Sequence, residues 1–261
     1  MNGKKSHLEL EIIREKSIEL LSIIKGKNIY KERAQIGLFI KFTDSKYEES
    51  FKKGKLHLKN IDYFNKLEES SNFQTRKDEL EGVAASFDST GASFTMDGIP
   101  LSVIDRMNLR HSSSQNINIF CMTAIPLIKL HHSNEKITFS DKFIEFGDKA
   151  IIIKPQYTIK FMDKVKKALL RRKNLYACPD EPFIFTHVDY EKMDYSGRMG
   201  VFRKLNIYEW QSEWRIAIYR DLKKSNFKPI TLSIGNIEDL CFTVDTVDLI
   251  KYGLGLTPSE N

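Results

Sequence analysis

The sequence has few cysteines and no long hydrophobic run. Its three cysteines, Cys121, Cys178 and Cys241, are odd in number and far apart, which argues against a disulfide framework and against a four-ligand zinc site. No apolar stretch approaches the roughly 20 residues that cross a bilayer, and the N-terminus leads into a charged segment rather than a signal sequence. We therefore expect a cytoplasmic protein in a reducing compartment, with no membrane association.

The composition is that of an ordinary globular protein with a mild excess of positive charge. Of its 261 residues, 41% are hydrophobic and 29% are charged, and the net charge is +6. This balance makes acidic partners plausible without identifying a nucleic-acid binder. An amphipathic pattern over residues 6–25 predicts a helix that ends at Gly26. We expect a helical extension over residues 1–34 and one domain over residues 35–261.

A late segment carries alternating polar and apolar residues. The stretch Tyr208–Tyr219 reads as a strand, with Gln211, Glu213 and Arg215 on one face. The opposite face is apolar and consists of Trp210, Trp214, Ile216 and Ile218. A glutamine and a glutamate placed two residues apart form the Gln-x-Glu arrangement of ADP-ribosyltransferases. The plain alternative is a strand whose polar face meets solvent.

An earlier segment reads as a strand, a short helix and a second strand. Ile36–Thr43 is the first strand, residues 44–54 form the helix, and Lys55–Lys59 alternates as the second strand. Gly54 supplies the left-handed residue that ends the helix.

The helix itself has a recognisable beginning and a predicted buried side. Ser45 and Glu48 have the spacing of a capping box, in which each side chain bonds a free backbone N–H of the first turn. Tyr47 and Phe51 lie four residues apart, so we expect both rings on the buried side.

These segments together resemble the NAD-binding core of ADP-ribosyltransferases. The order of short motifs over most of residues 36–235 is similar to an uncharacterised-domain family found in bacterial abortive-infection and phage-defence loci. Lys41 stands where ADP-ribosyltransferases carry arginine or histidine on the first strand. The motifs that follow it are Arg76-Lys-Asp78-Glu79-Leu-Glu81-Gly82, Phe120-Cys121-Met-Thr123, Val188-Asp-Tyr190, Lys204 and Gln211-x-Glu213-Trp-Arg215.

The resemblance implies an α+β fold with a split, mixed or antiparallel β-sheet of the ADP-ribosyltransferase type, flanked by helices. It also implies NAD as a substrate, without a metal. Glu213 would stabilise an oxocarbenium-like transition state and Gln211 would orient the acceptor. The residues expected to bind NAD are Lys41 and Arg76 through phosphates or ribose, Tyr63 and Tyr208 through nicotinamide, and Thr123. The biological role implied is a toxin or antiviral defence effector that a regulatory partner or antitoxin restrains.

A basic helix is predicted around residues 161–173. Its apolar side is Phe161, Val165, Ala168 and Leu169, and its outer face carries Lys164, Lys166, Lys167, Arg171, Arg172 and Lys173. Such a face is usually solvated. If the target is a nucleic acid, we expect phosphate contacts at Lys166, Lys167, Arg171 and Arg172, whereas the absence of interleaved aromatic residues speaks against base stacking.

Several other segments allow two interpretations. Residues 86–116 are rich in small polar residues and read as a lid, a binding loop or a surface excursion. Strands are predicted at 117–124, 149–154 and 183–190, and the last places His187 and Asp189 on one face as a structural or substrate-facing pair, which is too small a set to predict a metal site.

Two other functions compete with ADP-ribosyl transfer. One is a binding module that recognises a nucleotide or a phage-derived signal without catalysis. The other is an effector that binds or cleaves nucleic acid, for which Asp78, Glu81 and Glu213 would have to converge in space. The acceptor, either a protein or a nucleic acid, and the oligomeric state are not legible in the sequence.

Overall fold

A computed structural model gives the fold of this protein. It describes residues 36–61, 63–64, 78, 80–88, 94–101, 106–110, 116–132, 136–172, 183–221 and 228–254. These residues form two compact units. Unit one takes in the described chain up to Leu56, Met122–Arg171 and the chain from Leu232 onward, and unit two takes in His57–Cys121 and Arg172–Thr231. The predicted helix at 6–25 and the predicted boundary between residues 34 and 35 lie outside the described residues or at their edge, and stay predictions.

The protein is α+β, with a large antiparallel sheet and several helices. The strands are β1 Ile36–Thr43, β2 Lys55–Asn60, β3 Ala85–Asp88, β4 Phe94–Met96, β5 Ile99–Leu101, β6 Arg106–Leu109, β7 Ile117–Pro126, β8 Lys149–Ile153, β9 Phe183–His187, β10 Asp189–Glu191, β11 Gly197–Arg198, β12 Arg203–Leu205, β13 Glu213–Tyr219, β14 Ile230–Ser233 and β15 Cys241–Asp245. The largest sheet holds eight of these strands.

The helices are short. The α-helices of the described chain are α1 Ser45–Lys52, α2 Leu127–His132, α3 Thr158–Leu170 and α4 Thr246–Tyr252. The 3₁₀ helices in these same ranges lie at Asp141–Phe146, Pro155–Tyr157, Asn206–Gln211 and Glu238–Leu240. Within the described ranges, no helix combines the length and the apolar character that crossing a membrane requires.

Unit one is built around β1. This strand pairs antiparallel with β7 on one side and with β8 on the other, and β15 pairs with the far edge of β8. Because β1 and β8 are interior strands, their apolar runs are buried on both faces, as the sequence predicted for Ile151–Ile153. Helix α3 packs on β1 through Phe161, whose ring centroid lies 5.6 Å from that of Phe39. The predicted helix in this region is confirmed.

The strand, helix and strand at the start of the described chain are confirmed, but two details of the helix were wrong. The residue before α1 is Asp44, whose own side chain makes no capping hydrogen bond, so the predicted capping box of Ser45 and Glu48 does not form. Instead the backbone N–H of Ser45 donates to Asp148 Oδ1 at 2.7 Å. Phe51 is buried as expected, whereas Tyr47 is 49% exposed, because α1 is only eight residues long and turns a narrow face inward.

Unit two contains β13, whose residues are buried from Glu213 to Ile218. Strand β13 pairs antiparallel with β9, and the first half of β7 pairs antiparallel with β2. A separate three-stranded sheet has the order β11-β3-β6. Strands β10 and β12 form a parallel pair that runs from Asp189 opposite Arg203 to Glu191 opposite Leu205.

Two expectations for unit two need correction. The segment 86–116 was expected to be a loop, but its described part contains β4, β5 and β6 and most of β3, because β4 and β5 pair around a turn at Asp97 and Gly98 and β3 pairs with β6. The single strand expected at 183–190 is two strands, since β9 ends at His187 and β10 begins at Asp189. The strands predicted at 117–124 and 149–154 are confirmed as β7 and β8.

Gly54 allows a test of how closely two backbone segments pack in unit one. Its φ is +75°, and a Cβ there would lie 1.9 Å from the carbonyl oxygen of Gly235. Gly235 has a φ of +79°, but a Cβ there would meet only Lys164 Nζ at 3.6 Å. We expect Gly54→Ala to lower the free energy of unfolding by about 3 kcal/mol or more, from left-handed strain and overlap together, and Gly235→Ala by about 1 kcal/mol from strain alone. Urea denaturation of both variants measures this difference, and equal losses would show that the close approach does not matter.

Candidate functional site: a buried charge cluster

Strand β13 begins later than the sequence predicted. Asn206–Gln211 is a 3₁₀ helix, and Ser212 turns the chain with a φ of 42° before the strand starts at Glu213. The strand predicted over Tyr208–Tyr219 was therefore wrong in its first part, and Gln211 does not share a strand face with Glu213. The two-residue alternation runs unbroken across a junction between a helix and a strand, so periodicity alone cannot locate the junction.

Arg215 lies on β13 with only 2% of its surface exposed, and all its N–H groups are satisfied. Its Nη1 and Nη2 donate to the two carboxylate oxygens of Glu81 at 2.8 and 2.7 Å. Its Nε donates to Glu213 Oε1 at 2.6 Å, Nη2 also reaches Glu213 Oε2 at 3.3 Å, and Nη1 also donates to the Val201 carbonyl at 2.7 Å. A planar guanidinium can satisfy two carboxylates and a carbonyl at once, which the single ammonium of a lysine cannot do in the same geometry.

Glu213 is 6% exposed, and both of its carboxylate oxygens are engaged. Oε1 accepts from Arg215, and Oε2 accepts from Lys204 Nζ at 2.9 Å. Burial by itself raises the pKa of Glu213, but the charges of Arg215 and Lys204 outweigh burial and hold that pKa well below its usual range. The backbone N–H of Glu213 donates to the Tyr190 hydroxyl at 2.8 Å. Glu213 is therefore ionised at neutral pH, and its position is fixed from two sides.

Lys204 connects Glu213 to Gln211. Its Nζ donates to Gln211 Oε1 at 2.9 Å and lies 5.3 Å from the centre of the Tyr208 ring. Burial lowers the pKa of Lys204, but the neighbouring carboxylates, Glu213 foremost, raise it above its usual value. The two residues of the Gln-x-Glu motif are thus joined through a lysine ammonium rather than through a shared strand face.

Asp78 and Glu81 reach the same place from a turn. The backbone N–H of Glu81 donates to the Asp78 carbonyl at 2.8 Å, and Gly82 follows with a φ of +71°. Asp78 Oδ1 accepts from the backbone N–H of Leu80 at 3.0 Å, and Oδ2 lies 3.8 Å from Lys204 Nζ. Leu80 anchors the turn in an apolar cluster with Val83, Met199 and Leu205.

We call Asp78, Glu81, Lys204, Glu213 and Arg215 the buried charge cluster. Each of these residues is buried, and three carboxylates face two cations. Asp78 is the carboxylate most affected by the excess negative charge. Burial raises its pKa to about 6, and the charge of Glu81 adds to this rise while the charge of Lys204 opposes it. The cluster can therefore take up one proton close to neutral pH.

The structure brings together some of the residues that the sequence nominated. Gln211, Glu213 and Tyr208 meet through Lys204 in unit two, and Asp78, Glu81 and Glu213 converge as the cleavage alternative required. Tyr63 also belongs to unit two, where it is 38% exposed and lies under Lys59 Nζ at 4.2 Å.

The other nominated residues lie elsewhere. Lys41 and Thr123 belong to unit one, on β1 and β7. The basic residues nominated for phosphate contacts are all exposed, namely Lys166, Lys167, Arg171 and Arg172. The first three belong to unit one, and Arg172 is the first residue of the second segment of unit two. The predicted solvated face of α3 does not include Lys164, which is half-buried and donates to the Asn236 carbonyl at 3.2 Å. Arg76 lies outside the described residues.

Sequence reasoning gave no role to Lys204 and Tyr190, which both contact Glu213. In the sequence each residue belongs to the order of motifs without a role of its own, Lys204 as a single position and Tyr190 as the last residue of Val-x-Tyr. No sequence pattern identifies Lys204, which stands between Arg203 and Leu205, and only its 6% exposure in the folded chain shows that it needs a partner. Burial also raises the pKa of Tyr190, so its hydroxyl stays protonated and can act as a donor or an acceptor.

The described residues offer no group of three histidine, cysteine, aspartate or glutamate side chains placed to hold a metal ion. His187 and Asp189, which the sequence placed on one strand face, lie on different strands. In the described part of the chain, His187 Nε2 is buried without a hydrogen-bond partner.

Comparison with known proteins identifies no relative. No protein family, no curated protein and no solved structure matches this chain.

The pair formed by Arg215 and Glu81 predicts a large cost for removing one charge. Glu81→Gln keeps the shape of the side chain but leaves Arg215 with one carboxylate partner in a buried site, and we expect a loss of about 3 kcal/mol in the free energy of unfolding. The matched change on the surface is Glu49→Gln, which breaks the exposed pair with Lys53 at 3.0 Å and should cost less than about 0.5 kcal/mol. Urea denaturation compares the two, and a loss below about 1 kcal/mol for Glu81→Gln would show that Arg215 does not depend on it.

Asp78 predicts a pH dependence of stability. Its pKa is about 6 in the folded protein, whereas an aspartate in an unfolded chain titrates near about 3.9. The folded state therefore binds the proton first as pH falls, and this group adds about 1.4 kcal/mol to the free energy of unfolding between pH 7.5 and pH 5. The difference in stability between wild type and Asp78→Asn should change by that amount across this range.

Comparison with the variant is needed because burial lowers the pKa of His187, which makes the protein less stable as pH falls below about 6.5. That contribution is common to wild type and Asp78→Asn and cancels in the difference. Denaturation curves at pH 7.5, 6.2 and 5.0 give the measurement. A difference that is constant with pH would mean that Asp78 titrates alike in the folded and unfolded states.

Proposed function

We propose that this protein is an NAD-dependent ADP-ribosyltransferase-like effector in which Glu213 is the catalytic carboxylate. One observation carries the proposal: Glu213 is held ionised by Arg215 and Lys204 and is linked through Lys204 to Gln211. An ADP-ribosyltransferase needs a carboxylate that is negatively charged at neutral pH and fixed in position. The preorganised charges around Glu213 meet both needs.

In the proposed reaction, Glu213 and Gln211 act on the bond between nicotinamide and ribose. The bond between nicotinamide and ribose breaks, its electron pair leaves with nicotinamide, and positive charge develops at the ribose carbon. The negative charge of Glu213 stabilises that centre, and Gln211 orients the acceptor, whose lone pair forms the new bond before its proton passes to solvent. Tyr208, half-buried beside Lys204, is assigned to stacking on nicotinamide.

In this proposal, access to Glu213 requires Lys204 to leave Oε2, which Arg215 Nη2 also contacts at 3.3 Å. Glu213 is buried, and Lys204 Nζ occupies Oε2 at 2.9 Å, so a ribose hydroxyl can reach that oxygen only when the ammonium moves away. Gln211 and Asp78 can keep the displaced ammonium partnered. The charge state of the site thus suits NAD, and a rotation of Lys204 would admit it. A site that stays closed until such a rotation fits a toxin or phage-defence effector that is restrained by a partner or trigger.

The remaining roles are carried over from the sequence resemblance. Lys41 and Arg76 would hold the phosphates or a ribose of NAD, Tyr63 is the second aromatic assigned to nicotinamide, and Thr123 stands on β7. The acceptor is a protein or a nucleic acid. The split-sheet architecture of the ADP-ribosyltransferases is part of the same proposal, and the antiparallel pairing of β1 with β7 and β8 is compatible with it.

A second candidate is a binding module that recognises a nucleotide without catalysis. The observation that favours it is the complete engagement of both Glu213 oxygens by Arg215 and Lys204. This candidate predicts that NAD or another nucleotide raises the melting temperature while no nicotinamide is released. Metal-dependent cleavage of nucleic acid is a weaker candidate, since Lys204 and Arg215 occupy the carboxylate oxygens that a magnesium ion would need.

The decisive measurement is release of nicotinamide from NAD, with nucleic acid and cell lysate offered as acceptors. We expect Glu213→Gln to lower the rate at least about 100-fold, because it removes the charge that stabilises the transition state. Glu209→Gln is the matched control, since Glu209 is an exposed glutamate in the neighbouring 3₁₀ helix and should leave the rate unchanged.

Two further measurements distinguish a loss of catalysis from a loss of folding. Circular dichroism and thermal melting check that Glu213→Gln is folded, and Gln211→Ala provides a variant in which Glu213 is intact. Gln211→Ala should reduce transfer to the acceptor more than hydrolysis of NAD. Turnover that survives Glu213→Gln, or a folded wild type that releases no nicotinamide with any acceptor, contradicts the proposal, and in the second case stabilisation by NAD supports the binding module.

A further inference from the structure

Unit one contains a cavity to which four positively charged side chains contribute among its nine described lining residues. Its volume is about 580 Å³, and it lies between α3 and the end of β14. Its lining residues are Lys160, Asp163, Lys164, Lys167, Ala168, Arg171, Ser233, Ile234 and Gly235. None of these residues belongs to the buried charge cluster, and all of them belong to unit one.

The cations of this cavity form a straight row. Lys160, Lys164, Lys167 and Arg171 follow one another at intervals of four, three and four residues, which places them on one face of α3. With a rise of 1.5 Å per residue, the row is about 16 Å long. We call these four residues the α3 cationic row.

The row has little internal compensation. Among the described residues, Lys160, Lys167 and Arg171 have no carboxylate within salt-bridge distance, and Asp163 is the one carboxylate among the residues that line the cavity. Lys164 Nζ donates to the Asn236 carbonyl at 3.2 Å, so its position is fixed without its charge being neutralised. The buried charge cluster, in contrast, consists of charges that neutralise one another.

We propose that the α3 cationic row binds the phosphate backbone of a nucleic-acid strand. The length of the row selects this ligand over a mononucleotide, because about 16 Å spans several successive phosphates of a strand that carries one phosphate per 3.4 Å of duplex axis, whereas a mononucleotide carries its phosphates at one end. The cavity gives the backbone a groove between α3 and the Ser233–Gly235 segment. None of the described residues that line it is aromatic, so we expect the bases to stay unread and the binding to be independent of sequence.

The exposed residue Lys166 extends the positive surface of α3 within unit one. Exposed cations at the end of a phosphate-binding groove add affinity by releasing further counterions. The inference names a nucleic acid as the target class, and it rests on the proposed function only for the step in which that nucleic acid is the acceptor of ADP-ribose. Binding itself requires neither NAD nor Glu213.

The test is binding of fluorescein-labelled single-stranded and duplex oligonucleotides to the full chain, measured by anisotropy without NAD at several salt concentrations. We expect Lys167→Ala with Arg171→Ala to weaken binding at least 10-fold near 0.1 M salt and to reduce the slope of log K against log salt by about 2, one for each lost phosphate contact. Lys46→Ala with Lys251→Ala is the matched control, since it removes the same charge from exposed positions on α1 and α4 and should keep the affinity within about twofold.

Three outcomes would overturn the inference. The first is no oligonucleotide binding by wild type at low salt. The second is an equal loss in the two double variants, which would assign the binding to net charge alone. The third is competition by ATP at concentrations far below those of the oligonucleotide, which would make the cavity a nucleotide site. Absence of nicotinamide release has no bearing on this experiment, so failure of the catalytic proposal and failure of this one are distinguishable.

Discussion

The interaction on which unit two depends most is the set of hydrogen bonds made by the Arg215 guanidinium. A buried guanidinium without acceptors would cost several kcal/mol, so every segment that supplies an acceptor is held in place by the others. Glu81 comes from the turn after residue 78, Val201 supplies a carbonyl before β12, and Glu213 starts β13. Three distant parts of the chain are thus fixed by one side chain, and Lys204 then joins Gln211 and Asp78 to the same assembly.

The two charged places of the molecule have opposite physical characters. In the buried charge cluster, opposite charges lie within hydrogen-bond distance and are shielded from water, so their interactions persist at high salt. On the α3 cationic row, like charges face an open cavity and are screened by salt, which suits reversible capture of a polyanion. A protein that fixes a reacting carboxylate and also holds an extended anionic target would need one buried, neutralised cluster of charges and one exposed row of like charges.

Much of the fold could be predicted from the sequence, because apolar periodicity identified β1, β2, β7, β8 and α3 and Gly54 marked the end of α1. The start of β13 could not, since Gln211, Glu213 and Arg215 alternate across a junction where Ser212 adopts a left-handed conformation that its side chain does not signal. Within the candidate site, the motifs identified Gln211 and Glu213. Convergence of Asp78 and Glu81 with Glu213 was predicted only as a condition of the nucleic-acid cleavage alternative. The partnership of Arg215 with Glu81 spans 134 residues of sequence, and only the folded chain specifies such a pair.

The burial of β13 also determines which part of the site can move. Glu213–Ile218 is buried and paired with β9, so displacing the backbone of this strand would require local unfolding, a rare and slow event in a core strand. In the proposed opening, rotation of the Lys204 side chain breaks its ion pair with Glu213 and leaves the strand in its sheet. Under the proposed function, the Glu213 carboxylate would stay fixed and the Lys204 ammonium would be the group that moves, so the opening rate would be set by the rotamer exchange of one lysine rather than by a hinge in the fold.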